Sequence, residues 1–431
     1  MFKDIVSPFC ACSCDDLSLD VVDGQLLVLS PCCPATTEAV ERINQATPPS
    51  AFRNGHPCSA PEAVTAAAAL LRDSRLPLLF GMGGMGTNSQ RAAVRLAEQV
   101  GGVIDTAGGG LATGSLAALQ QVGMSTCTLG EVLHRADLVL IWGADPAVTH
   151  SRFFERLTRS SHSPEILVLD DHPSATSAAA TEFYQFSNAD NRNLLLTLRQ
   201  LLRDEPLCPR VVSLREDSPL SEGDEPIGFP SASDLTVLRQ LSYRLKHCRY
   251  GVILYGERFA SGNSPGITIE LLFRLVEELC GVTRMSARAL GEPGAENLLA
   301  WQTGFARAVH FHQSGPESLV GEFSANEMLE RQETDCAVIL GSRSLRHLSP
   351  AAMATLQKIP TILLEPVSQK SDFPATVQVA VGVDGIHSRD TIYRFDDVSL
   401  PLRALLPSAL PSVSEILADI GNHVSCSRSQ G

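Results

Sequence analysis

Residues 131–146 read Glu131-Val132-Leu133-His134-Arg135-Ala136-Asp137-Leu138-Val139-Leu140-Ile141-Trp142-Gly143-Ala144-Asp145-Pro146. Five consecutive apolar side chains leave no polar face for water, so Leu138 to Trp142 predicts a strand covered on both sides. A short helix, Leu129 to Arg135, leads into it. The arrangement returns in the second half as Glu327-Met328-Leu329-Glu330-Arg331, then Asp335 and the run Cys336 to Leu340 before Gly341. In each half another apolar strand follows and ends in an acid, Ile166 to Asp170 and Thr361 to Glu365. Apolar strands between helices imply parallel sheets with helices on both faces, and the recurrence implies a duplicated α/β domain.

Outward from this stretch the alternation continues. Upstream lie a helix Ala60 to Arg72, a strand Leu76 to Phe80, a helix Asn88 to Val100 closed by Gly101-Gly102, and a strand Val103 to Asp105. Downstream a strand Gly251 to Tyr255 precedes a helix Gly266 to Leu279. Near the start, Leu17 to Val22 and Gln25 to Leu29 flank Asp23-Gly24, a strong hairpin signal. Pro206, Pro209, Pro219, Pro226 and Pro230 stand among Ser, Glu, Asp and Gly, which reads as a connection. The expected organisation is a β-rich unit over 1–50, a first α/β domain over 51–205, a connection over 206–233, and a second α/β domain over 234–375. A terminal segment, 376–431, should complete a sheet with Val377 to Val383 and Thr391 to Phe395.

The 431 residues are 44% hydrophobic, with 48 acidic against 34 basic side chains and a formal charge of −14. That balance argues against nucleic acid or an anionic membrane as the main partner, since both need a basic footprint. No apolar run approaches the roughly 18–20 residues of a spanning helix, and Met1-Phe2-Lys3-Asp4 opens no signal peptide. The expectation is a soluble, cytoplasmic protein. Five of the 12 cysteines, Cys10, Cys12, Cys14, Cys32 and Cys33, fall in the first 33 residues. In a reducing compartment such a cluster reads as metal ligation or its remnant.

Several motifs carry candidate chemistry. Gly81-Met82-Gly83-Gly84-Met85-Gly86 satisfies G-x-G-x-x-G between a strand and a helix, and Asp105 ends the next strand where a ribose-binding acid would sit. The alternative is a plain strand-to-helix turn. His310 and His312 share a face of a strand, with Glu317 and Glu322 nearby; two histidines without a third ligand more often mark a surface. His150 follows a strand-end turn. Gly262-Asn263-Ser264-Pro265-Gly266 matches the letters of a nucleophile elbow, but its serine stands too far from the strand end at Tyr255 for that sharp turn.

Taken together, ordered blocks resemble the B subunit of formylmethanofuran dehydrogenase, a relative of the molybdopterin oxidoreductases. They are Cys10-Ala11-Cys12-Ser13-Cys14-Asp15-Asp16-Leu17, then Val103-Ile104-Asp105, Gln121-Val122-Gly123 and Thr126-Cys127-Thr128-Leu129-Gly130-Glu131. Trp142-Gly143-Ala144-Asp145-Pro146, Trp301-Gln302-Thr303-Gly304, Gly385-Ile386 and Tyr393-Arg394-Phe395-Asp396 follow in order. The resemblance implies an α/β fold like domains 1–3 of formate dehydrogenase and DMSO reductase: a small N-terminal β unit and two related parallel-sheet domains.

It also implies three pieces of redox equipment, each altered here. Of the family's four cluster-binding cysteines, the first falls on Ser7, the second on Cys10, the third on Cys14 and the fourth on Cys32 or Cys33. An iron–sulfur cluster ordinarily takes four thiolates, so Cys12 or the spare cysteine of the Cys32-Cys33 pair would have to substitute. The metal-ligating cysteine after the Val-Ile-Asp strand falls on Leu111, within Gly108-Gly109-Gly110-Leu111-Ala112, and an isobutyl group cannot bind molybdenum or tungsten. In the pterin nucleotide site, Asp170-Asp171-His172 stands where the family has Asp-Pro-Arg, which puts an acid in place of the proline and a neutral ring in place of a fixed cation.

A chain with the fold and without the redox equipment resembles the B subunit of the bacterial formyltransferase/hydrolase complex. That resemblance implies a non-catalytic structural subunit with no catalytic residues and no cofactor of its own. The complex would convert formyl-tetrahydromethanopterin, through a methanofuran-type carrier, to formate in methylotrophic one-carbon oxidation. The partners would be an amidohydrolase-like A subunit, a structural C subunit and a formyltransferase D subunit. Two alternatives stand beside it: a catalytic molybdenum or tungsten B subunit with divergent ligands, and a nucleotide-binding oxidoreductase using Gly81 to Gly86.

Overall fold

The computed structural model describes residues 1–30, 32–46, 51–159, 163–188, 191–205, 232–262, 264–292 and 294–428. The N-terminal hairpin forms as expected: β1 (Phe2–Ile5), β2 (Leu17–Val22) and β3 (Gln25–Ser30) make an antiparallel sheet, with Asp23 at φ 50 and Gly24 at φ 76 in its turn. The chain continues through β4 (Ala51–Arg53), β5 (His56–Cys58), β6 (Pro77–Gly81) and β7 (Val103–Thr106). Next come β8 (Leu138–Trp142), β9 (Glu165–Asp170) and β10 (Glu182–Gln185), then β11 (Tyr250–Tyr255) and β12 (Arg284–Ala289). A hairpin of β13 (Val309–His312) and β14 (Gly315–Ser318) precedes β15 (Cys336–Leu340), β16 (Thr361–Pro366) and β17 (Val377–Val381). A last pair, β18 (Asp390–Tyr393) and β19 (Ser399–Leu402), forms a sheet of its own.

Two parallel-sheet units result, and their make-up corrects the expected domain boundaries. One unit comprises Met1–Gly109 with Glu292–Gly431, the other Gly110–Gly291. The nine-stranded sheet of the first has the order β14-β13-β7-β6-β15-β16-β17-β4-β5; the five-stranded sheet of the second has β10-β9-β8-β11-β12. In both, the strand after the Glu131 or Glu327 helix lies at the centre. It is flanked by its successors on one side and by an earlier or later strand pair on the other. The two stretches that read as repeats are each split between the two units. The first repeat sends β6 and β7 to one unit and β8–β10 to the other; the second sends β11 and β12 to one and β15–β17 to the other. Boundaries at 205 and 234 cut through both sheets. Residues 206–231 of the expected connection lie outside the described residues, and Ala232–His247 is already helix.

Local chemistry explains the elements. Thr128 and Glu131 form a capping box that starts the helix Leu129–Arg135, and Ser59 with Glu62 does the same for Ala60–Asp73. In the first unit, Leu79, Ile104, Val338 and Ile362 bury one face against helices Ala60–Asp73, Thr87–Val100 and Val413–Arg428. Leu78, Phe80, Ile339 and Leu363 bury the other. Each such side chain contributes roughly 1.5–3 kcal/mol of burial, which is why these strands read as continuous apolar runs. In the second unit Leu140, Trp142, Leu169, Ile253 and Tyr255 pack with Leu195, Leu241 and Leu272.

The Gly108-Gly109-Gly110 stretch opens a helix, Gly109–Val122, entered through Gly108 at φ 146 and Gly109 at φ 54, angles that suit glycine. Thr391 to Phe395 completes neither large sheet, since β18 pairs with β19.

Candidate functional site

The N-terminal cysteines converge, with one substitution. The loop 7–14 is closed by Ser7 N–H donating to the Cys14 carbonyl at 2.8 Å and Ser13 N–H to that of Cys10 at 3.0 Å. The buried Cys10 thiol hydrogen-bonds with both Cys14 and Cys33. Thr36 Oγ1 lies 2.8 Å from Ser7 Oγ and 3.2 Å from Cys33 Sγ. Ser7, Cys10, Cys14 and Cys33 are thus gathered, and Cys33 rather than Cys32 is the inward member of the pair. Cys32 Sγ turns to Thr37 Oγ1 at 3.4 Å and to the Cys33 carbonyl. Cys12 is buried as well. The contact with Cys14, together with burial, raises the Cys10 pKa. The hydrogen bond to Cys10 and burial push Cys33 up. None of the described cysteines is in a disulfide.

Beside this cluster a cleft of about 740 Å³ opens in the same unit. It lies beyond the carboxyl ends of β6, β15 and β16, where the strand order reverses, the usual ligand position in a doubly wound sheet. Arg343 links cleft to cluster: it donates to the Phe9 carbonyl at 2.7 Å and pairs with Glu292 at 3.1 Å. Burial lowers its pKa, while Cys10 and Cys33 act to raise it. Arg346 also pairs with Glu292.

The anion-binding positions around the cleft are taken by the chain's own carboxylates. At the helix Thr87–Val100, which the glycine motif introduces, Asp384 accepts from Gly86 N–H at 2.9 Å and Ser89 Oγ at 2.8 Å. Asp390 accepts from Asn88 N–H at 3.1 Å and Thr87 Oγ1 at 3.0 Å. A Cβ on Gly86 would strike the Asp390 carboxylate. At the end of β15, Glu365 accepts from Ser342 N–H at 3.0 Å and its hydroxyl at 2.7 Å. Asp105 is no ribose ligand. It is buried and accepts from the backbone of Thr106, Ala308 and Ala325, with Arg307 at 3.4 Å. The glycine motif therefore positions a self-capped helix, which removes the basis for a nucleotide-binding oxidoreductase at Gly81 to Gly86.

In the other unit the corresponding crest is closed. A Cβ on Gly143 would collide with the Phe259 backbone, and one on Gly256 would meet Ala144 Cβ at 2.6 Å. Asp170, fully buried, receives both arms of Arg258 and Asn188 Nδ2 at 3.0 Å. Asp171 and His172 lie outside it, paired with each other. Asp170, Asp171 and His172 do converge closely enough for a metal ion, but Arg258 already neutralises the buried acid. Leu111 is buried in this unit's apolar core.

The remaining candidates separate clearly. His150 is a core residue, its pKa lowered to about 4 by burial, with Thr149 Oγ1 at 2.9 Å on one nitrogen and the Gly291 carbonyl at 3.2 Å on the other. Ser264 precedes the helix Pro265–Cys280, and its carbonyl accepts from Arg192; it stands on no elbow. His310 and His312 meet Glu317, while Glu322 turns to Arg331. Arg258, Arg343, Glu365, Asp384 and Asp390 were not legible as site residues. Only Asp384, next to Gly385-Ile386, borders a block that the resemblance marks.

No family model matches the chain. It is 25% identical to the B subunit of tungsten-containing formylmethanofuran dehydrogenase 2 from Methanocaldococcus jannaschii, over 94% of this chain and 93% of that one. It is 28% identical to the B subunit of the formyltransferase/hydrolase complex Fhc from Methylorubrum extorquens, over 68% and 75%. The chain is a homologue of these B subunits. The fold is also seen in crystals: a chain of the Methylorubrum extorquens FhcABCD complex with methylofuran matches at a TM-score of 0.69 and 24% identity. The match covers 88% of this chain and all of that one. Acetylene hydratase from Pelobacter acetylenicus matches at 0.64 and 12% identity, over 99% and 70%.

Within this fold the donor chemistry is a poor match for redox groups. The gathered set offers three thiols and the Ser7 hydroxyl, so a four-thiolate site would need Cys12 or Cys32 to stand in for Ser7. Leu111 supplies no donor for molybdenum or tungsten, and its neighbours in the core are apolar. No metal-centred redox step follows from these residues.

Proposed function

We propose that the chain is a non-catalytic structural B subunit of a formyltransferase/hydrolase complex, holding no molybdopterin, tungsten or iron–sulfur cluster. The observation that carries this reading is the occupation of the strand ends. Asp384, Asp390 and Glu365 satisfy the donors that would otherwise face a ligand's phosphates, and Arg258 fills the bay at Asp170. The fold shared with a chain of FhcABCD supports it. On this reading the three-stranded sheet and the two parallel-sheet units correspond to domains 1–3 of the molybdopterin oxidoreductases. The A and D subunits carry formyl hydrolysis and transfer, the C subunit is a second scaffold, and the complex works in the cytoplasm. Among the described residues no helix is long and apolar enough to cross a membrane.

A second reading, a tungsten or molybdenum dehydrogenase component, draws on relatives named tungsten-containing, matched over 94% and 97% of this chain. The two part at one measurement. The chain is expressed with the A, C and D subunits from its own source, the complex is isolated, and its iron, molybdenum and tungsten are determined beside its formyl-hydrolysing activity. A four-subunit complex that releases formate with only trace redox metal is the expected result. Stoichiometric tungsten or molybdenum, or failure to associate with the other subunits, overturns it.

A further inference from the structure

Among the described cysteines only Cys10 lines the 740 Å³ cleft. It keeps 7% of its surface, against 1% for Cys14 and 3% for Cys33, so a small solute in the cleft meets this thiol first. Its two neighbours are themselves thiols, Cys14 and Cys33. Arg343 lines the same cleft. It is anchored on the Phe9 carbonyl at 2.7 Å and exerts its charge on both Cys10 and Cys33. A guanidinium beside a thiol favours the thiolate, which is the reactive form. Cys33 stands at the start of the helix Pro34–Gln45. There the backbone N–H and the hydroxyl of Thr36 also favour its thiolate, against the opposing effects of Cys10 and burial.

We propose that Cys10 is a site of reversible oxidation by a small hydroperoxide entering through the cleft, with Cys33 as the thiol that closes a disulfide. The Cys10 thiolate attacks a peroxide oxygen: an S–O bond forms, the O–O bond breaks, and water or an alcohol leaves with the proton. Cys33, no longer competing with a Cys10 thiolate for the negative charge, then attacks the sulfenic sulfur. An S–S bond forms, the S–O bond breaks and water leaves, so that two thiols are oxidised and one peroxide is reduced. The link ties the loop 7–14 to the helix Pro34–Gln45, whose Ala35, Glu38 and Arg42 form part of the cleft wall. In a reducing compartment such a bond is transient, as redox-sensing disulfides are. The inference rests on the cluster-free reading of these cysteines given above.

The test takes the purified full chain, reduced and then freed of reductant, measures its iron, and treats it with hydrogen peroxide. Differential alkylation and peptide mapping should find Cys10 and Cys33 withdrawn together as an intramolecular disulfide. Cys32→Ser should keep this link. Cys33→Ser should lose it and leave Cys10 as a sulfenic acid that dimedone captures. Because burial and Cys14 raise the Cys10 pKa, the reaction should quicken as the pH rises above neutral. The disulfide should also raise the melting temperature, and a dithiol reductant should reverse both changes. An iron-free chain in which the exposed Cys280 and Cys426 are oxidised while Cys10 stays open to alkylation overturns the inference alone, as does pairing of Cys10 with Cys14. Stoichiometric iron held by the cysteines overturns it together with the cluster-free reading.

Discussion

Arg258 and Asp170 show how much one pair of residues decides. Asp170 is wholly buried at the end of β9, and Arg258 delivers two N–H groups to it from the turn after β11. Removing the cation leaves a carboxylate with no charge partner in a place water scarcely reaches. Because Arg258 itself is one-third exposed, Arg258→Ala should cost about 2–4 kcal/mol, somewhat less than a fully buried pair. Urea denaturation of R258A beside R258A/D170N checks this. The double variant should recover more than half of the loss, since the asparagine introduced there can still accept from Asn188; no recovery would mean that Arg258 acts through packing instead. Leu111 makes the opposite point, because its identity alone, legible in the sequence, removes a metal donor.

At the scale of elements, the repeat reuses one joint. Asp137 precedes β8 and accepts from the backbone of Arg249 and Tyr250 at the start of β11. Asp335 precedes β15 and accepts from the backbone of Arg75 and Leu76 at the start of β6. Burial by itself would raise both carboxyl pKa values, but these hydrogen bonds outweigh it and hold them below the ordinary value of 3.8. A depressed carboxyl adds stability above its unfolded pKa, and that stability is lost as pH falls through the folded value. Asp137→Asn and Asp335→Asn should therefore each cost about 1–2 kcal/mol at pH 7. Their melting temperatures should approach that of wild type below about pH 4. A difference that stays constant down to acid would assign the cost to geometry rather than charge. The acid before each strand was visible in the sequence; its partners, more than a hundred residues away, were not.

For the whole molecule, the splitting of each repeat between two sheets has a direct consequence. A fragment ending at residue 205 contains β6–β7 and β8–β10 but none of β11, β12 or β15–β17, so β8 and β6 each lose a central neighbour. Such a fragment should fail to fold although it contains one complete sequence repeat. Far-ultraviolet circular dichroism and dye binding to exposed apolar surface would show this. A soluble fragment with a cooperative melt would show that the repeat is an autonomous domain after all.

The order of residues alone dictates what is local: the apolar runs that become strands and the capping boxes that start helices. These follow from side-chain chemistry and short periodicities, which do not depend on distant contacts. Which strands share a sheet, and what fills the strand ends, emerges only in the folded chain. Asp384 meets Gly86 across 298 residues and Arg258 meets Asp170 across 88. No local pattern encodes such pairings, because they are selected by the packing of the whole chain, where a buried N–H or carboxylate must find whichever partner the fold brings to it.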